Sequence, residues 1–159
     1  MKKILLFTLL YSFLSAFSIL SAQEYKKLRV GIGTGAGFNF ITGDDPLTLI
    51  YLEAGYKISD QLLIGLRFQN TVGVQGRNIN SYSIVGQYYF SNKIFRPFVG
   101  LGFGLYREVS WKNGIGVFPR VGFDVRHFTL NLDFEMIGSN IDMSYLTLKI
   151  GFTIGGGRK

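Results

Sequence analysis

The chain of 159 residues contains no cysteine. Disulfides, thiolate metal sites, a thiol nucleophile and a lipid-modified N-terminal Cys are all excluded. It has one histidine, His127, so no His-rich metal site can assemble and no metal or other cofactor is expected. Proline is scarce, at three residues, which suits long uninterrupted strands. Charged residues make up only 17%. Despite 47% hydrophobic residues, no long apolar run follows the first twenty or so positions, so the rest of the chain cannot span a bilayer as helices.

What is abundant is glycine, at 21 residues, and aromatic side chains, at 16%, more than a small soluble core needs. Glycine here follows neither a collagen period nor a low-complexity tract. The formal charge is +7; removing residues 1–22 takes Lys2 and Lys3 away and leaves +5.

Residues 1–22 read as an address. Met1-Lys2-Lys3 is a short positive start, Ile4–Leu20 is apolar, and Ser21-Ala22-Gln23 offers a small residue to a signal peptidase, although Leu20 is large for its place. Ser12, Ser15 and Ser18 weaken the rival reading of an uncleaved anchor helix. The expected organisation is a signal peptide at 1–22 and one β-barrel domain at 23–159.

That domain alternates with period two. From Phe128 to Met136 every even position is apolar and every odd one polar, so one face is greasy and the other wet. Leu146, Leu148, Ile150, Phe152 and Ile154 repeat the pattern. Further strands are expected at about Leu28–Phe40, Thr48–Ile58, Leu62–Val72, Ser81–Phe90, Pro97–Tyr106 and Ile115–Val125. Each is near the ~9–11 residues a tilted strand needs to cross a bilayer. Ser59-Asp60, Ser91-Asn92-Lys93 and Arg126-His127 supply turns at one end. The segments Thr42–Pro46, Gly73–Asn80, Ser110–Gly114 and Gly138–Met143 supply them at the other. The expected fold is an all-β, eight-stranded antiparallel up-and-down transmembrane barrel with both termini at the periplasmic end.

Alternation alone does not say which face points in, and a soluble lipocalin-like barrel binding an apolar ligand would bury the greasy one. Two features favour the inverse. Glycines 31, 33, 35, 37, 55, 65, 100, 102, 104, 116, 122 and 151 fall on the polar face, where a narrow lumen leaves little room. The strand charges fall there too: Arg29, Glu53, Lys57, Arg67, Arg120, Asp124, Arg126, Asp133, Glu135 and Lys149. A charge facing lipid at mid-depth costs roughly 2–4 kcal/mol.

Turn positions then suggest pairs. The two-residue turn at Arg126-His127 sets Arg120 opposite Asp133, a loop centred near Ile141 brings Asp133 towards Lys149, and Ser59-Asp60 brings Glu53 within about one residue of Arg67. Buried charges must be paired. The expectation is a lumen charge network of Glu53, Arg67, Arg120, Asp133, Glu135 and Lys149, with Asp133 between Arg120 and Lys149 and Glu53 beside Arg67. Phe40, Tyr56, Tyr82, Tyr88, Phe90, Phe128 and Trp111 lie near strand ends, where interfacial girdles belong.

The phrases Glu53-Ala54-Gly55-Tyr56-Lys57-Ile58-Ser59-Asp60, Tyr88-Tyr89-Phe90-Ser91-Asn92-Lys93 and Arg96-Pro97-Phe98-Val99-Gly100-Leu101-Gly102-Phe103-Gly104 resemble the small outer-membrane β-barrel domains of Gram-negative bacteria, the OmpX/OmpA-barrel type. The resemblance covers nearly all of 23–159. It implies residence among outer-membrane lipid and insertion by the outer-membrane assembly machinery. Such chains usually end in an aromatic residue, whereas here Phe152 and Ile154 are followed by Gly-Gly-Gly-Arg-Lys.

Little else carries chemistry. Gly31-Ile32-Gly33-Thr34-Gly35-Ala36 matches a dinucleotide-binding string, but that motif needs a helix after the turn and here the strand continues. His127-Phe128-Thr129 resembles the His-x-Ser arrangement of outer-membrane lipid A deacylases, with Asp133 or Glu135 as the orienting carboxylate. The hydroxyl belongs to Thr, the His sits at a periplasmic turn, and both carboxylates point inward. A nucleic-acid surface would need an exposed basic patch, and much of this charge is inside. The function expected is therefore a non-enzymatic, monomeric outer-membrane barrel. Its role is structural or surface-interacting, with a filled polar lumen and at most a narrow solute path. A lipid-modifying enzyme and a soluble lipocalin-like binder are the alternatives.

Overall fold

A computed structural model describes residues 27–39, 46–73, 78–109, 113–139 and 143–156. The leader 1–22, Phe40, Thr42–Asp45, Trp111 and the final Arg158-Lys159 lie outside the described residues. Eight strands follow one another: β1 Leu28–Asn39, β2 Leu47–Lys57, β3 Leu62–Gly73, β4 Asn78–Tyr89, β5 Phe95–Glu108, β6 Asn113–Val125, β7 Phe128–Ser139 and β8 Met143–Gly155. Each pairs antiparallel with its neighbours in sequence, and β8 pairs with β1, so the sheet is a closed barrel. Closure leaves no edge strand exposing unpaired backbone, which a lipid phase would not tolerate.

The alternation seen in the sequence maps onto two surfaces. In β2 buried and exposed residues alternate without a break, with Leu49, Tyr51, Glu53, Gly55 and Lys57 inside and Ile50, Leu52, Ala54 and Tyr56 outside. The outer wall is apolar: Leu66 is 66% exposed, Leu101 62% and Ile84 58%. Tyr56, Tyr82, Tyr88, Phe90 and Phe128 all face outward. The interior holds the charges, with Asp133, Glu135 and Lys149 all at 0% exposure.

Two local features adjust the wall. The β6–β7 ladder runs to Val117↔Met136, lapses at Phe118 and Pro119, and resumes at Arg120↔Asp133 in the same register. Proline has no N–H to donate, so the lapse is where a ladder bond cannot form. Opposite it, a Cβ on Gly102 would collide with the buried Phe118 ring, so glycine makes room for that side chain inside the lumen. The expectation that Arg126 points into the lumen is corrected. It lies in the turn between β6 and β7, exposed, with φ 54°. A two-residue hairpin needs a left-handed backbone there, and the chain leaves the strand before the side chain can alternate inward.

Candidate functional site

The strands bring a continuous ladder of opposite charges onto the barrel axis. At the end where β1 begins, Asp124 accepts from Arg29 Nη2 at 3.1 Å and from the Tyr89 hydroxyl at 3.1 Å, with Arg96 Nη2 at 3.5 Å. Arg29 also donates to Glu53 Oε1 at 3.0 Å, and Arg120 Nη1 donates to Glu53 Oε2 at 2.8 Å. Arg120 Nε reaches Asp133 Oδ1 at 3.3 Å.

Asp133 is the hub. Beside Arg120 it takes Lys149 Nζ at 2.8 Å, the Arg67 guanidinium and the Asn131 amide. One level further out, Glu135 Oε1 takes Lys149 Nζ at 2.9 Å, Arg67 Nη2 at 3.3 Å and the Gln69 amide at 3.1 Å. Its other oxygen accepts from the hydroxyls of Tyr145 at 2.8 Å and Tyr106 at 3.0 Å. Lys149 is completed by Gln69 Oε1 at 2.6 Å, and the Arg67 guanidinium lies 4.0 Å from the centre of the Phe118 ring.

Such groups could not be buried singly. Among the described residues the buried charges are the cations Arg29, Lys57, Arg67, Arg96, Arg120 and Lys149 and the anions Glu53, Glu108, Asp124, Asp133 and Glu135, nearly balanced. Two apolar clusters flank the ladder. Leu47, Ile79, Tyr106, Ile137 and Tyr145 form one towards the end of β1, and Leu63, Tyr89 and Phe98 form the other towards its start. A void of about 10 Å³ remains beside Arg29, Tyr51, Glu53 and Arg120, room for one water-sized group. Chemically the arrangement is a chain of ion pairs across the lumen. Its carboxylates are engaged by cations, which leaves them poor general bases.

All six residues named from the sequence line the lumen, and all six are tied by ion pairs to others of the ladder. Arg120 does stand opposite Asp133. Two pairings differ in detail. Glu53 and Arg67 are cross-strand partners, yet Glu53 binds Arg29 and Arg120 while Arg67 reaches outward to Asp133 and Glu135. Two carboxylates, Asp133 and Glu135, draw the guanidinium away from the single one beside it. Asp133 pairs in register with Thr147 and meets Lys149 on the diagonal, a span its long side chain covers. The sequence reading missed Arg96 and Glu108, one position outside the expected ends of β5 and two beyond, and the inward tyrosines 51, 89, 106 and 145. Parity could have found them, since Tyr106 and Glu108 continue the series Gly100, Gly102, Gly104.

The His127 group is not assembled. Its Nδ1 lies 3.0 Å from the Thr153 carbonyl and its ring stacks on Phe152, at the exposed turn. Asp133 and Glu135 are held by cations within the lumen. Among the described residues no hydrogen bond joins His127 to Thr129, Asp133 or Glu135.

No protein-family model and no curated protein sequence matches the chain. Solved structures do. The crystal structure of Neisserial surface protein A (NspA) superposes with a TM-score of 0.69 over 81% of this chain and 97% of that one, at 16% identity. This chain has the fold of the small outer-membrane β-barrels. The outer membrane enzyme PagL gives a TM-score of 0.56 at 11% identity, covering 80% of this chain and 99% of that one. The outer membrane protein OprG of Pseudomonas aeruginosa gives 0.51 at 15%, covering 82% and 98%. The same barrel therefore serves an enzyme and other surface proteins alike, and function must be argued from the side chains.

Proposed function

We propose that this chain is an integral, monomeric barrel of a Gram-negative outer membrane, delivered by the outer-membrane assembly machinery after loss of residues 1–22, and that its role is structural or surface-interacting, without catalysis. One observation carries the reading: hydrocarbon covers the outside of the cylinder while eleven ionisable side chains among the described residues are buried within it. A soluble lipocalin-like barrel requires the opposite arrangement. The similarity to NspA and OprG supports the location, and the closed sheet supports a single-chain unit with no edge to pair.

The lumen supports a plug over a channel. Side chains fill an eight-stranded barrel, and here they are joined by ion pairs from Asp124 to Glu135. His127 engages a backbone carbonyl and an aromatic ring and does not favour the lipid-modifying alternative. Fractionation tests the proposal. The chain should stay in the outer-membrane fraction after alkaline or salt washing, and its gel mobility should change on boiling. Release with soluble periplasmic contents, with no mobility change, would refute it.

A further inference from the structure

The ion pairs of the lumen do not balance. Arg29 and Arg120 share Glu53, and Arg29 and Arg96 share Asp124. Arg67, Arg120 and Lys149 converge on Asp133, and Arg67 and Lys149 also reach Glu135. Five cations are thus joined to four carboxylates, one negative charge short. The wider count agrees: among the described residues six cations and five anions are buried. A surplus charge held away from water is costly unless an anion meets it.

The surplus has a place to be met. The void of about 10 Å³ lies among Arg29, Tyr51, Glu53 and Arg120, with Thr129 and Thr153 completing its wall. Glycines open it. Gly31 on β1 stands between Glu53 on β2 and Thr153 on β8. A Cβ on Gly31 would come within 3.0 Å of Thr153 Cγ2, and one on Gly151 within 2.3 Å of the Tyr51 hydroxyl. Two donors of the residues around the void are unused. Arg29 Nε and the Tyr51 hydroxyl are buried without a hydrogen-bond partner among the described residues, and each residue is only 4% exposed. Glu53 is beside the void as well, yet both of its oxygens are engaged, Oε1 by Arg29 Nη1 at 3.0 Å and Oε2 by Arg120 Nη1 at 2.8 Å.

We propose that the void binds one small monoatomic anion, chloride. Arg29 Nε–H and the Tyr51 O–H donate to it, and the guanidinium charges of Arg29 and Arg120 hold it. A chloride ion is only slightly larger than a water molecule, so it suits a void of that size, whereas phosphate, sulfate and carboxylates are too large. Water would accept the same two hydrogen bonds but leave the surplus charge unmet. Charge therefore selects the anion, and the anion completes the chain of ion pairs. The site lies wholly inside the barrel and stands apart from the outer-membrane reading.

The folded barrel in detergent tests it twice. Crystals grown in sodium bromide should show an anomalous peak between Arg29 and Arg120, within hydrogen-bond reach of the Tyr51 hydroxyl. In solution the urea midpoint should rise saturably with chloride but not with gluconate, which is too large for the void, at equal ionic strength. Tyr51→Phe removes one donor and should raise the half-saturating chloride concentration about tenfold. Arg96→Gln is the sharper variant. Arg96 does not line the void, but without it four cations face four carboxylates, so the chloride response should vanish. Tyr82→Phe, on the outer wall, should leave the response as in wild type. Should Arg96→Gln fold poorly, Gly31→Ala, whose methyl group enters the void, should abolish the bromide peak. No bromide signal at the void in wild type, or equal midpoints in chloride and gluconate, would overturn the proposal. So would a chloride response that Tyr51→Phe and Arg96→Gln leave unchanged, or a bromide peak that persists in Gly31→Ala.

Discussion

Asp133 Oδ2 lies 2.8 Å from Lys149 Nζ although the two residues are not register partners. The contact is diagonal, and it places one carboxylate among Arg67, Arg120 and Lys149. Asp133→Asn removes the charge but keeps the shape, and leaves three buried cations short of an anion. Breaking a buried ion pair from one side costs about 3–5 kcal/mol. Urea unfolding of the reconstituted barrel should show a loss of that size, and Asp133→Asn with Lys149→Met should recover part of it. A loss under about 1 kcal/mol for the single variant would show the charges to be solvated separately.

The Gly102–Phe118 contact is equally specific. A methyl group at 102 must displace the Phe118 ring, which is itself packed under Arg67. Gly102→Ala should destabilise the barrel by about 1–3 kcal/mol, the range for overpacking. Phe118→Leu in the same chain should relieve it. Heat-dependent gel mobility measured against temperature reads both variants.

Much of this architecture was legible in the residues. The alternation from Phe128 to Met136 set strand and face together, and the short turn at Arg126-His127 fixed the β6–β7 register and with it the Arg120–Asp133 pair. What stayed hidden is where long side chains lean. Register places Glu53 opposite Arg67, but nothing in register says that Arg67 turns outward to Asp133 and Glu135. Arg96 and Glu108 were lost for a simpler reason, since both ends of β5 run past the apolar alternation. The juxtaposition of Arg107, Asn80 and Asn70 needs three strands in register before it exists at all.

The outer wall should reject charge. Ile84→Arg puts a guanidinium at mid-height on the apolar face, at a cost of roughly 2–4 kcal/mol. Reconstitution into thin-bilayer vesicles should yield less folded, heat-shifting protein than wild type. Folding yield equal to wild type would place Ile84 away from lipid.

Processing gives a separate prediction. Intact-mass measurement of the protein recovered from outer membranes should correspond to a chain beginning at Gln23, within a residue or two. Retention of Met1 in the mature protein would instead mean an uncleaved anchor.

The inverted arrangement of apolar and charged surfaces is tested most directly by methyl NMR of the unmodified barrel in nanodiscs containing a doxyl-labelled acyl chain. Leu66, Ile84, Leu132 and Leu148 face outward and should broaden strongly, while the fully buried Leu63, Ile79 and Val85 should stay sharp. Broadening of Leu63, Ile79 and Val85 with Leu66 and Ile84 left sharp would contradict the account.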